Sequence, residues 1–260
     1  MCGQFRNSID APGRASSTAA VAHRGAQGSG AAAERHVDDL LAACLKDTRD
    51  FRAGDRLIAE GAPNRELFRL VEGELAASQE LGPGVGPVLA FFYPGDLLFP
   101  AAPGEAWSHS VRALSDGRLE VYRLDAVRKV CQSDGRLAYR LFLAASRVLS
   151  QRLEHAARLR SLSVEGRFAA FLLEAGGRIG SARRGGLVLS LPMSRTDIAS
   201  YLGLRTETLS RIIRRWRDRG LIDLESARRI SIPETKALEE MAQDVAPCGP
   251  APSSPAPTNA

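Results

Sequence analysis

Nothing in this sequence runs apolar for 18 residues, which excludes a helical membrane span. The N-terminus lacks the charged-then-apolar order of a secretory signal, so a cytoplasmic location is expected. Cysteine is scarce: Cys2, Cys44, Cys131 and Cys248 stand 42, 87 and 117 residues apart. No CxxC or finger-type spacing occurs, and a reducing compartment argues against disulfides. Histidine is equally scarce, with only His23, His36, His109 and His155. HExxH, GxSxG and GxxxxGK(S/T) are also missing, which speaks against an enzyme. No internal repeat is evident. What remains is a globular composition: 260 residues, 44% apolar and 25% charged, enough for one or two domains with a real core. The net charge of +5 leans toward polyanionic partners without identifying one.

The texture changes along the chain. Residues 1–35, rich in Ala, Gly, Ser and Arg without an apolar period, read as a disordered arm, and 247–260, rich in Pro, Ala and Ser, as a tail. VDDLLAACL, from Val37 to Leu45, suggests a short helix. Strand-length apolar runs then alternate with Gly54, Gly61, Gly73, Gly82, Gly84, Gly86 and Gly95, a pattern that predicts an antiparallel β-roll over 36–134. A stretch without Gly or Pro, from about Arg136 to Leu162, predicts a helix of about 40 Å. Its narrow apolar stripe (Phe142, Ala145, Leu149, Leu153, Ala156, Leu159) is that of a coiled-coil dimer seam. Arg152 and His155 interrupt it and would set partner and register. The segment 135–162 is therefore read as a dimerisation helix. A second helical run, VEGRFAAFLLEAGGRIG, opens a C-terminal domain over 163–246, and the strand LVLSL leads into Pro192.

From Ser194 on, several signals coincide. Ser194 with Asp197 three residues later forms a capping-box pair. Ile198, Ala199 and Leu202 give the helix its inner face, Gly203 supplies a tight turn and Leu204 packs beneath it. A second helix follows from about Thr206 to Arg219, with Leu209, Ile212, Ile213 and Trp216 inward. Helix, glycine turn and helix at this spacing form a helix-turn-helix, whose second helix can lie in the DNA major groove. Glu207, Ser210 and Arg211 stand at i, i+3 and i+4 and project together from the N-terminal half of that helix. An Arg fork suits guanine O6 and N7, a carboxylate accepts from cytosine N4, and a Ser bonds either kind of base. Ser194, Arg195, Arg205, Thr206, Arg214 and Arg215 are the candidate phosphate contacts, with Arg217 and Arg219 further along. Between Ser194 and Ile230 nine arginines face five acids, a net of +4, and each neutralised phosphate adds salt-sensitive affinity. LIDLES and RRISI read as a β-wing. The fold class is α+β: β-roll, long helix, winged helix-turn-helix.

The run LPMSRTDIASYLGLRTETLSRIIRRWRDRGLI resembles the CRP/FNR superfamily of bacterial transcription regulators, its FNR/FixK branch in particular. The resemblance spans about residues 37–245. It implies a homodimer that reads an inverted repeat of TTGAT-type half-sites through Glu207, Ser210 and Arg211. Cyclic-AMP-type members usually carry Arg where Thr206 stands and Gly where Ser210 stands. Arg205 departs from the family's usual Ser or Thr cap, because Arg cannot accept from the helix's free N–H groups. In the roll, Gly95-Asp96-Leu97-Leu98-Phe99-Pro100 and Trp107-Ser108 occupy the places of the family's nucleotide motif. The cation for a cyclic phosphate is missing, and burying a phosphate without one is costly. An iron–sulfur cluster needs four convergent thiolates, yet no second cysteine follows Cys2 within 40 residues and Leu119 stands where a roll ligand would be. Haem on Cys44, Cys131 or His109 is not favoured either. No cofactor is expected. Control would then come from the protein's own synthesis, from partner proteins or from thiol oxidation, with Cys44 and Cys131 as the redox candidates. The implied function is an activator in an oxygen- or redox-linked response, with duplex DNA, a second copy of the chain and RNA polymerase as partners, and no membrane. The alternative is an effector-dependent regulator whose roll binds a nucleotide or other small ligand.

Overall fold

Among the described residues, eight strands build the N-terminal half. In the computed structural model, residues 40–80, 86–99, 105–183, 186–226 and 228–244 are described. The arm, the tail, Cys2, Cys248, Pro100 and the first residues of the helix expected at Val37 lie outside them. One antiparallel sheet runs in the order β1 (Leu45–Phe51), β8 (Gly117–Arg123), β3 (Glu66–Glu72), β6 (Leu97–Leu98). The other runs β2 (Arg56–Ile58), β7 (Ser110–Ala113), β4 (Leu75–Ser78), β5 (Val88–Phe92). Alternation places Leu119 and Val121 of β8 in the core between the sheets, with Leu70, Leu75, Leu98, Trp107 and Val111. Glu120, between Leu119 and Val121, faces outward. It accepts from Arg69 Nε at 2.6 Å across the ladder, where Arg69 is its register partner.

The short helix expected over Val37–Leu45 is helical only at 40–42 among the described residues, and Leu45 already opens β1. Pairing of Leu45–Phe51 along β8 overrides the local helical texture. After β8 the chain turns at once into α1 (Leu124–Ser133), and α2 (Gly135–Ser161) follows, its cap Asp134 accepting from Arg136 N at 2.9 Å. The 27-residue α2 buries fully only Leu137. Tyr139, Phe142, Leu149 and Leu153 remain 61–64% exposed. All the large residues of the expected seam's centre thus stand out of their own fold.

The C-terminal half holds α3 (Val164–Ile179), β9 (Ser181–Arg183), β10 (Gly186–Ser190), α4 (Arg195–Tyr201), α5 (Thr206–Asp218), β11 (Asp223–Leu224), β12 (Arg229–Ile232) and α6 (Lys236–Met241). β11 and β12 form the expected wing, in a sheet ordered β11-β12-β10-β9. The two halves share one core. Strand β4 is buried on both faces: Leu75 and Ala77 face the roll interior, while Ala76 joins Phe91 and Tyr93 in a cluster with Phe168, Phe171, Leu172 and Tyr201. Burying this apolar surface is the main force holding the C-terminal half to the roll.

Candidate nucleic-acid interface

The first helix of the pair is fixed at both ends. Ser194 Oγ accepts from Asp197 N at 3.1 Å, and the Asp197 carboxylate accepts from Ser194 N at 3.1 Å, a complete capping box. The same carboxylate takes the Arg112 guanidinium of β7, tying the cap to the roll. At the other end Gly203 sits at φ +65°, a left-handed conformation that a Cβ would strain. Gly203 N donates to Ser200 O at 3.1 Å and Leu204 N to Ala199 O at 2.8 Å. These two bonds are a Schellman motif around the cap residue Leu202 and end α4 at Tyr201. A second one, Gly220 N to Arg217 O and Leu221 N to Trp216 O, both 2.9 Å, stops α5. The angle between the two helices is set by backbone bonds.

Helix α5 is sharply two-faced. Leu209, Ile212, Ile213 and Trp216 are at most 4% exposed and pack under α4, with the Trp216 ring 5.1 Å from that of Phe168 on α3. Opposite them, Glu207, Arg211 and Arg214 are exposed, and Ser210 is half-buried on their flank. The side chains of these four form no hydrogen bond or ion pair with any described residue. Arg195 and Arg205 are likewise exposed and unengaged among the described residues, Thr206 is half-buried, and Ser194 is exposed with its hydroxyl spent on the capping box. Arg205 makes no side-chain cap bond, as its chemistry requires. Arg215, another expected phosphate contact, has its guanidinium engaged by Glu165 in the first turn of α3. Arg217 pairs with Asp218 at 2.8 Å and Arg229 with Glu225 at 2.7 Å. Among the described residues, the cations of this block left without a carboxylate are Arg195 and Arg205 at the helix starts, Arg211 and Arg214 along α5, Arg219 at its end and Arg228 in the wing.

Several groups that orient this surface were invisible in the spacing of residues. Arg167 of α3 donates from Nε to Leu162 O at 3.1 Å and from Nη1 to Leu202 O at 3.3 Å, joining the end of α2 to the end of α4. Tyr201 stacks on His155 of α2 with centroids 4.0 Å apart and planes 12° off parallel, and the rings of Phe91 and Phe171 lie at 4.9 and 6.0 Å. Burial, with the nearby Glu174, pushes the Tyr201 phenol up to about 12, and burial also holds His155 below the ordinary imidazole range. The acid in the first turn of α3 was a signal for Glu165, but its partners lie 50 and 51 residues away.

In the roll, a cavity of about 250 Å³ opens between β5, β6 and α2, walled by Leu89, Phe92, Leu97, Trp107 and Val148, with His109 and Arg152 as its polar members. Trp107, standing where the family's nucleotide cation is expected, is 4% exposed and packs against Phe68 at 6.1 Å. Arg152 donates to Leu89 O at 3.3 Å across the mouth. Leu119 is fully buried and apolar in its surroundings. Cys44 and Cys131 border one small cluster with Leu41 and Val127, and burial pushes both thiols up, the reverse of what a reactive thiolate needs. No helix among the described residues is long and apolar enough to cross a membrane.

Known proteins match this arrangement along most of its length. Residues 166–241 match the family described as the Crp-like helix-turn-helix domain, and 48–134 the cyclic nucleotide-binding domain. The chain is 32% identical over 191 residues to the nitrogen fixation regulation protein FixK of Rhizobium meliloti, covering 74% of this chain and 85% of that one. It is 25% identical over 188 residues to the transcriptional activator protein anr of Pseudomonas aeruginosa, covering 72% and 77%. Among solved structures, FixK2 from Bradyrhizobium japonicum superposes with a TM-score of 0.69 at 27% identity, covering 78% of this chain and 98% of that one.

Proposed function

Because the chain belongs to the CRP/FNR family of DNA-binding transcription regulators, in its FixK-like branch, we propose that it acts in the cytoplasm as a homodimer that reads an inverted repeat of TTGAT-type half-sites. Paired α2 helices hold two copies of α5 one turn of DNA apart. Arg211 takes the guanine edge, with Glu207 and Ser210 completing base readout. Arg195, Arg205, Thr206 and Arg214 meet phosphates and set register, while Ser194, its donors taken by Asp197, holds the cap of α4 behind them. The bound dimer touches RNA polymerase and activates transcription in an oxygen- or redox-linked response. The observation that carries this reading is the exposed line of Glu207, Arg211 and Arg214, unengaged by described residues and rigidly presented. Selecting bound sites from random duplex with the purified full chain tests it. Enrichment of a two-fold symmetric TTGAT-type repeat is expected, and a pool without such a motif overturns it.

The cavity in the roll favours a second reading, control by a small effector with a mostly apolar body. Its polar groups, His109 and Arg152, sit among aliphatic and aromatic walls, a poor match for a cyclic nucleotide's sugar and phosphate. Calorimetric titration with cyclic AMP and cyclic GMP should show no heat of binding. Tight binding of either moves the account to the effector-dependent form.

A further inference from the structure

Glu165 makes two contacts of different character. One carboxylate oxygen accepts from Trp216 Nε1 at 2.8 Å, satisfying an indole on a residue that is otherwise fully buried. The other receives the Arg215 guanidinium. Satisfying the indole needs only a neutral acceptor, since an unpartnered buried donor is what is costly. The negative charge is therefore explained by Arg215. At 100° per residue, Arg215 lies about 70° round the helix from the Glu207–Arg211–Arg214 line and on the side away from Ser210. That flank of a helix in the major groove faces a phosphate strand. Glu165 is 26% and Arg215 52% exposed at the side chain, so the pair is open enough for the guanidinium to swing out once released.

We propose that Glu165 is a positioning residue that seats the recognition helix through Trp216 and, with its charge, keeps Arg215 off the DNA backbone, trimming the sequence-independent part of binding. The inference rests on the DNA-reading function above. In the wild-type chain Arg215 is a cation in reserve, while Arg214, one residue earlier, is in use. Glu165→Gln retains an acceptor for the indole and removes the charge.

The test is salt-dependent binding of the full chain to random duplex. Wild type, Glu165→Gln, Arg215→Ala, Arg214→Ala and the Glu165→Gln/Arg215→Ala pair are compared. One added phosphate contact steepens the slope of log K against log salt by about 0.9, which at about 0.1 M salt is roughly eightfold tighter binding. Glu165→Gln is expected to show that gain, and the pair to lose it. Arg215→Ala alone is expected to keep the wild-type slope, while Arg214→Ala flattens it by about 0.9. Unchanged Trp216 fluorescence, read in a Trp107→Phe background, shows that the Gln variant keeps its helix seat. Three results overturn the proposal: a wild-type slope in Glu165→Gln, a gain that survives in the pair, or a flattened slope in Arg215→Ala. If site selection yields no motif yet the slopes behave as stated, the base-reading function fails and this inference stands. If a motif appears and the slopes do not move, this inference fails alone.

Discussion

Leu153 offers the most quantitative check on how two copies meet. In the single chain it is 63% exposed, with Leu149 at 61% and Phe142 at 64% on the same stripe of α2. Burying a whole leucine side chain stabilises by roughly 1.5–3 kcal/mol, so covering the exposed part of Leu153 contributes about 1–2 kcal/mol per chain. A two-fold interface counts each change twice, so Leu153→Ala should weaken the dimer by about 2–4 kcal/mol, or roughly 30- to 1,000-fold in dissociation constant. The monomer should hardly notice, since so exposed a side chain contributes little to its own fold. Sedimentation equilibrium over a wide concentration range reads the dissociation constant, and circular dichroism reads the helix content. The expected outcome is unchanged helicity with a shifted monomer–dimer balance. A variant that dimerises as tightly as wild type would show that α2 is not the seam. A variant that loses helicity would show that Leu153 packs within its own chain.

Three further expectations concern the site and its surroundings. Arg211→Ala should cost about 1–3 kcal/mol on the selected site and relax base preference at one position, which a mutated-site binding panel measures; equal weakening on random duplex would assign Arg211 to phosphate instead. His155 is held neutral by burial between Tyr201 and α3, with Arg152 and Arg158 opposing protonation and Glu174 favouring it. Its folded-state pKa lies below the unfolded one, so the unfolded chain takes the proton first and stability falls as pH drops below about 6.5. The melting temperature of wild type should therefore fall more steeply between about pH 7 and pH 5 than that of His155→Phe; parallel curves would remove His155 as a cause. Cys44 is 2% exposed and its thiol and that of Cys131 are raised by burial, so both should alkylate slowly in the native fold at neutral pH. Rapid labelling of either, read by mass spectrometry, would support it as a redox candidate.

How much of this was legible in the sequence depended on whether the interaction was local. The capping box of Ser194 and Asp197, the turn at Gly203, the inner face of α5 and the 27-residue α2 all rest on residues within a few turns of one another, and each stands where its pattern placed it. Local texture misled only where long-range pairing won, as at Leu45, which joins β8 rather than extending a helix. Helix α1 was legible but absorbed into the roll: Val127, Val130 and Cys131 recur at helical spacing. The short β9 and α6 carry too few residues for a period to show. At the site, the outward placement of Glu207 and Arg211 with Ser210 on their flank followed from helix geometry, but the engagement of Arg215 did not. Its partner Glu165 is 50 residues upstream, and nothing along the chain marks which of four neighbouring arginines a distant acid will take.

The joint between α2 and α3 is two residues long, Leu162 and Ser163. Leu162 is buried, Ser163 caps α3 by accepting from Gly166 N, and Arg167 staples the joint to the end of α4. In the homodimer proposed above, so short a joint would make the two recognition helices the jaws of a caliper. One base pair inserted between half-sites moves the second by about 3.4 Å and turns it by about 35°. The proposed dimer would have little reach to follow, and the duplex would have to twist and bend to be held. On that reading, tolerance of operator spacing would depend largely on the stiffness of DNA.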